Sequence, residues 1–227
     1  MRTFTGCDLI IFDCDGVLVD SEMLAIRAMC GVLNEADIPA TESMILRCFG
    51  MKQLDTLRRI AAETGREIPP NVAERLWPAT RSAFEASLRP MPGIFDVLDL
   101  VTGPKRCVAS SSHPERIATS LALTGLASYF GDSVFSSHQV VRGKPAPDLF
   151  LFAAASMSVD PARCVVIEDS AFGIEGARAA GMTPYGFTGG AHIQAGHDAA
   201  LRQAGAVAVE ATWEAMSGRL LGSCVAP

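Results

Sequence analysis

The sequence predicts an α/β protein, a doubly wound parallel sheet with an inserted helical subdomain, and three observations carry that prediction. Short apolar runs rich in β-branched residues recur along the 227 residues, helix-like stretches separate them, and one connection is far too long for a simple crossover. Continuous apolar runs of this length suit strands buried on both faces, as a parallel sheet requires.

The first run, "LIIF" (Leu9 to Phe12), predicts the first strand. From Ser21 to about Pro90 no convincing strand follows, only the helical patterns "EMLAIRAMCGVLNEA", "ESMILRCF", "KQLDTLRRIAAETG" and "NVAERLWPATRSAFEASL". A βαβ crossover needs about a dozen residues, so about 70 helical ones read as an inserted subdomain. Its entry near Val17 to Asp20 and exit near "LRPMPG" (Leu88 to Gly93) should lie side by side as a hinge, and a hinged subdomain beside strand ends would act as a lid. This divides the chain into a core of residues 1–16 and 91–227 and a helical cap of residues 17–90. Trp77 and Phe84, seven apart on a helical pattern, read as cap packing.

After the insertion the alternation resumes. Strand-like "CVAS" (Cys107 to Ser110), "CVVIE" (Cys164 to Glu168), "TPYGF" (Thr183 to Phe187) and "AVAV" (Ala206 to Val209) are interleaved with helical stretches. Those starting at His113, Ala146 and Ser170 carry N-terminal Pro or Ser/Asp signals. Such alternation implies an open sheet with right-handed crossovers.

Composition narrows the function. Hydrophobic residues make up 49% and charged ones 19%, which excludes a disordered chain. A net charge of −6 with no dense Lys/Arg cluster argues against nucleic acid as a partner. The seven cysteines include no CxxC pair and no zinc spacing, and most sit in apolar runs as small hydrophobes, which suits a reducing cytoplasm. No stretch approaches the roughly 20 apolar residues of a membrane helix. The expected protein is cytoplasmic, a monomer or weak dimer, with a small phosphorylated metabolite as its partner.

Ligands of parallel α/β sheets bind beyond the carboxyl ends of the strands. There the sequence places Asp13 and Asp15 after "LIIF", Ser110 to Ser112 after "CVA", and Glu168 and Asp169 after "CVVI". "RGKPAPD" adds Lys144 from a proline-stiffened loop. Carboxylates so close repel and lose hydration when buried, so the grouping costs stability unless a cation or reacting group offsets it. Mg²⁺, which takes hard oxygen ligands and keeps several waters, fits that requirement. With Lys144 it would create a positive spot for a phosphoryl group. One aspartate could then attack phosphorus, and the other move the proton. Taken singly, each element has a plainer reading. Asp13 and Asp15 could be turn residues, the serines or Glu168-Asp169 could cap helices, and Lys144 could be a solvated surface lysine. The four histidines, His113, His138, His192 and His197, have no metal spacing and read as surface or loop residues.

"FDCDGVLVDSE", "VASSS", "RGKPAPD" and "VIEDSAFGIEGARAAGM" resemble the four ordered motifs of the haloacid dehalogenase-like hydrolase superfamily, in its branch with a helical cap after the first motif. The resemblance implies a Rossmann-like core, Mg²⁺ dependence and phosphate monoester hydrolysis through an aspartyl-phosphate. Position by position, it makes Asp13 the nucleophile and a metal ligand, and Asp15 the acid/base and a ligand through its carbonyl. Ser110 and the amide of Ser111 would hold the phosphoryl group, Lys144 would neutralise it, and Asp169 with Glu168 would bind Mg²⁺. Gly16 would keep the backbone close to the phosphate.

Dehalogenases of this kind work without Mg²⁺ and lack an acid at the position of Asp15, so dehalogenation is not expected. A mutase resembling β-phosphoglucomutase is the nearer alternative, but those enzymes carry a histidine where this chain has Ala25 and an arginine where it has Gln53. In the cap loop, "GMK" resembles the "GVK" of bacterial sugar phosphatases that accept 6-phosphogluconate, which makes Lys52 a candidate substrate contact. A catalytically silent binding module is the alternative of another class.

Overall fold

The computed structural model describes residues 7–49 and 53–222, so Lys52 lies outside the described residues. Six strands form one sheet in the order β3-β2-β1-β4-β5-β6, with every neighbouring pair parallel. They are β1 (Leu9–Phe12), β2 (Lys105–Ser110), β3 (Val134–Ser136), β4 (Cys164–Glu168), β5 (Thr183–Phe187) and β6 (Ala208–Glu210). β1 and β4 are wholly buried, which is why both read as unbroken apolar runs. Beyond β1 the chain order runs outward through β2 and β3, then returns to place β4 on the other side of β1. That reversal makes the crevice at the carboxyl ends of β1 and β4 the natural ligand position.

Contacts divide the chain into two units, Ser21–Leu88 and the remainder. In the helical unit, α1 (Glu22–Glu35), α2 (Glu42–Leu46), α3 (Gln53–Thr64) and α4 (Pro70–Ser87) enclose an apolar cluster that includes Ile26, Leu33, Ile60, Val72 and Leu76. The side chain of Thr41 caps α2 by accepting from Met44 N–H, and Pro70 opens α4 at a position where its missing N–H costs nothing. The rings of Trp77 and Phe84 meet edge to face, 6.4 Å apart.

In the sheet unit, the strands of chain before and after the helical unit run side by side. Asp20 N–H donates to Arg89 O at 3.1 Å, and Met91 N–H to Leu18 O at 2.8 Å. Among the described residues seven further α-helices belong to the sheet unit: α5 (Ile94–Leu100), α6 (Pro114–Leu123), α7 (Ala127–Phe130), α8 (Asp148–Ser156), α9 (Ala171–Ala179), α10 (His197–Ala204) and α11 (Trp213–Gly222). Leu9, Ile11, Cys107, Phe150, Val166 and Ala177 belong to its main core. Trp213 is fully buried; it stacks on Phe187 at 4.8 Å and donates from Nε1 to Val17 O at 3.1 Å. The six cysteines among the described residues are free thiols. None of the described helices is long and apolar enough to cross a membrane.

Candidate active site

β1 ends at Phe12, and Asp13 continues its line, its N–H donating to Ile167 O of β4 at 3.0 Å. This fixes Asp13 beside Glu168 and Asp169 at the end of β4. Oxygens of the three carboxylates lie within 4.8 Å of one another, and all three residues are buried. Lys144 reaches them from the loop before α8. Its Nζ donates to Asp13 Oδ1 at 2.7 Å, to Glu168 Oε1 at 2.5 Å and to Ala109 O at 3.0 Å, with the side chain 4% exposed. The surface-lysine reading therefore fails.

The helix-cap readings also fail. The His113 side chain caps α6, accepting from Glu115 N–H at 3.3 Å, so Ser110 to Ser112 are not spent on that role. Ser170 caps α9 by accepting from Gly173 N–H at 3.1 Å, and it donates from N and Oγ to Glu168 Oε2 at 2.9 Å each. Glu168 is thereby fixed at both oxygens. Glycine at 173 is what admits it: an added Cβ would fall 1.9 Å from its carboxylate.

Ser110 is buried at the end of β2, whereas Ser111 is exposed. Asp15 lies outside the three-acid group, and its carboxylate has other partners. Ser112 Oγ donates to its Oδ2 at 2.6 Å and Arg116 Nη2 to its Oδ1 at 2.8 Å. Gly16 has a left-handed φ of +76°, and a Cβ there would fall 1.8 Å from Asp169 Oδ2. Only glycine allows that approach.

Two of the four histidines contact Asp169, a position the sequence reading assigned to neither. His192, in the loop after β5, is 3% exposed, and its Nε2 stands 3.1 Å from Asp169 Oδ2. His197 Nε2 lies 2.5 Å from the carbonyl oxygen of Asp169, which can only accept. His113 and His138 are exposed, as expected. Arg116 also escaped the sequence reading, although a cation in the first turn of a helix opposes the helix dipole and so signals an acidic partner.

The electrostatics favour a bound cation. Two carboxylates at such separations repel by roughly 3 kcal/mol at an effective dielectric near 20, and Lys144 alone faces three. Burial pushes the Asp13 carboxyl well above its ordinary value; Lys144 pulls it back, while Glu168, Asp169 and Asp15 push it further up. Burial also works against the Lys144 ammonium, but Asp13 and Glu168 outweigh it and hold its pKa above the ordinary lysine value. Cys14, between the two aspartates, is no nucleophile, because burial and the charges of Asp15 and Asp13 keep it a thiol. Three hard oxygen donors around a deficit of positive charge fit a divalent metal ion.

A parallel sheet with acids at its switch point and a lysine bridging them is an arrangement suited to an α/β hydrolase. Residues 7–181 match the haloacid dehalogenase-like hydrolase family, and the chain belongs to it. It is 29% identical to the 6-phosphogluconate phosphatase of Escherichia coli K12 over 82% of this chain and 84% of that protein. With the fructose-1-phosphate phosphatase of the same organism it shares 34% identity over 76% and 92% of the two chains. A haloacid dehalogenase-like protein of unknown function from Agrobacterium tumefaciens C58 superposes with a TM-score of 0.87 at 36% identity, covering 97% of this chain and all of that one (100%).

Proposed function

We propose that the protein is a Mg²⁺-dependent phosphatase of a small phosphorylated sugar or sugar acid, with 6-phosphogluconate the first substrate to test. The observation that carries the proposal is the Asp13–Lys144–Glu168 bridge beside Asp169 at the switch point of the sheet. Similarity to two sugar-phosphate phosphatases supports the substrate class.

Asp13, Asp169, Glu168 directly or through water, and the Asp15 carbonyl are the groups proposed to hold the ion. When bound, Mg²⁺ supplies positive charge against the phosphoryl oxygens. Asp13 attacks phosphorus, the ester P–O bond breaks, and Asp15 gives its proton to the leaving oxygen. Asp15 then takes a proton from water, which attacks the aspartyl-phosphate, releases inorganic phosphate and restores Asp13. Lys144 balances charge on Asp13 and the phosphoryl group, while the Ser110 hydroxyl and Ser111 N–H bind it. Lys52, by resemblance alone, is assigned to a substrate carboxylate or hydroxyl. Ala25 and Gln53 in place of the mutase histidine and arginine favour hydrolysis over transfer to a second sugar hydroxyl. Buried free thiols support a reducing, cytoplasmic setting.

The test is phosphate release from a panel of sugar phosphates, sugar-acid phosphates and phosphoglycolate, with Mg²⁺ or with chelator, beside Asp13→Asn. Mg²⁺-dependent release that Asp13→Asn abolishes is expected, and kcat/KM ranks the substrates. Absence of release from every ester, with no binding of a metal fluoride phosphate mimic, would instead support the silent module.

A further inference from the structure

Asp169 is approached from a second segment of the chain. It follows β4 at the head of α9, yet contacts reach it from the loop between β5 and α10. His192 Nε2 stands 3.1 Å from Oδ2, and His197 Nε2 meets the carbonyl oxygen at 2.5 Å. The two histidine rings lie edge to face with centroids 6.3 Å apart.

The loop carrying His192 is itself anchored. Thr188 N–H donates to Glu210 O at 2.9 Å, Ala191 N–H to Asp20 Oδ1 at 3.1 Å, and Ile193 N–H to Gly190 O at 3.2 Å. Glycines flank the imidazole where other residues would collide. A Cβ at Gly190 would fall 2.6 Å from His192 Cε1, and one at Gly16 would fall 2.8 Å from the same atom and 1.8 Å from Asp169 Oδ2. The ring is therefore fitted between two backbone segments, with Nε2 3.1 Å from one carboxylate oxygen. It lies outside the group of side chains that could hold a metal ion, which among the described residues comprises Asp13, Glu168 and Asp169.

We infer that His192 is a positioning residue: its imidazole fixes the orientation of Asp169 for the metal ion and so sets the affinity of the site for divalent cations. Partners behind a ligating side chain govern affinity in this way, and their loss costs about 10–100-fold. His197 supports the same element by anchoring its backbone. The inference rests on the metal-dependent reading above and adds a residue to it that none of the four sequence motifs contains.

The experiment measures Mn²⁺ affinity, by the electron paramagnetic resonance of free Mn²⁺, and Mg²⁺ affinity by competition. The proteins are the full chain and its His192→Phe, His192→Gln and His192→Asn variants. Phenylalanine keeps the ring volume without a nitrogen, glutamine can present an amide where Nε2 was, and asparagine is too short to do so. The expected result is at least about tenfold weaker binding for His192→Phe and His192→Asn, with His192→Gln recovering most of it. Melting temperatures in chelator show whether each variant is folded; if His192→Phe is not, the asparagine and glutamine pair still decides. Wild-type affinity in His192→Phe, or equal loss in His192→Asn and His192→Gln, would overturn the positioning role alone. A wild-type protein that binds neither ion would overturn the metal reading and this inference with it.

Discussion

Lys144 and Asp13 are 131 positions apart in the chain, yet Nζ and Oδ1 lie 2.7 Å apart inside the sheet unit. The same ammonium bonds Glu168, so one lysine joins the first and last acidic elements of the site. Lys144→Ala leaves two buried carboxylates without their cation. It should destabilise the protein by about 3–5 kcal/mol in chelator, and added Mg²⁺ should restore part of that loss. Turnover should fall by about 10²–10³. Lys144→Arg should not rescue it, because a planar guanidinium does not fit a pocket built for three acceptors around a point charge. Urea unfolding with and without Mg²⁺, beside phosphate release, checks all three outcomes.

Gly16→Ala tests the close approach of backbone and the Asp169 carboxylate. A left-handed φ costs an alanine about 1–2 kcal/mol, and its Cβ would fall 1.8 Å from Asp169 Oδ2, so the carboxylate must move. Crowding adds about 1–3 kcal/mol. The expected sum is a stability loss of about 2–5 kcal/mol together with weakened Mn²⁺ binding. Unchanged Mn²⁺ affinity would contradict the geometry.

These contacts also show what a sequence can and cannot reveal. β1, β2, β4 and β5 are recognisable because burial of most of their residues forces apolar runs, and the edge strand β6, of which only Ala208 is buried, through the adjoining small apolar residues of "AVAV". β3 escaped, since three residues at the sheet edge, "VFS", need no such run. The amphipathic α10, opened by Gly196 with no side-chain cap, lacks a start signal. Asp13, Asp15, Ser110, Glu168 and Asp169 were legible because strand ends project to one place. His192 and Arg116 were not, because their partners, Asp169 and Asp15, are defined by tertiary contact across 23 and 101 positions rather than by spacing.

The buried thiols predict an alkaline weakness. Burial raises the pKa of Cys107 far above the ordinary thiol value, with Cys164 adding to it, and burial pushes Cys164 up to about 11. In the unfolded chain both ionise near pH 9, while the folded protein keeps them protonated. The unfolded state thus gains as pH rises through 9, and the Cys164 contribution levels off above about 11. Stability should fall by up to about 1.4 kcal/mol per pH unit for the thiol of Cys107. Cys107→Ala should be less steeply pH-dependent than the wild type in urea unfolding between about pH 8 and 10.5, roughly one unit or more either side of the free thiol value. Equal slopes would refute the assignment.

Arg116 should separate turnover from stability. Its guanidinium donates to Asp15 Oδ1 at 2.8 Å, and Ser112 holds the other oxygen at 2.6 Å. Removing a hydrogen bond to a charged group costs about 1.5–3 kcal/mol. However, Arg116 lies in the first turn of α6, where a cation opposes the dipole by about 0.3–1 kcal/mol, so its removal returns that amount. The net destabilisation by Arg116→Ala should be only about 1–2 kcal/mol. Asp15, proposed to meet both the leaving oxygen and water, loses one of its two orienting donors, and general acid–base catalysis is worth about 10²–10⁴ in rate. A loss of roughly tenfold or more in kcat, with Mn²⁺ affinity within a factor of about three, is therefore expected, the metal-binding carboxylates being untouched. A parallel fall in Mn²⁺ affinity and kcat would mean that Arg116 supports the cluster as a whole rather than Asp15.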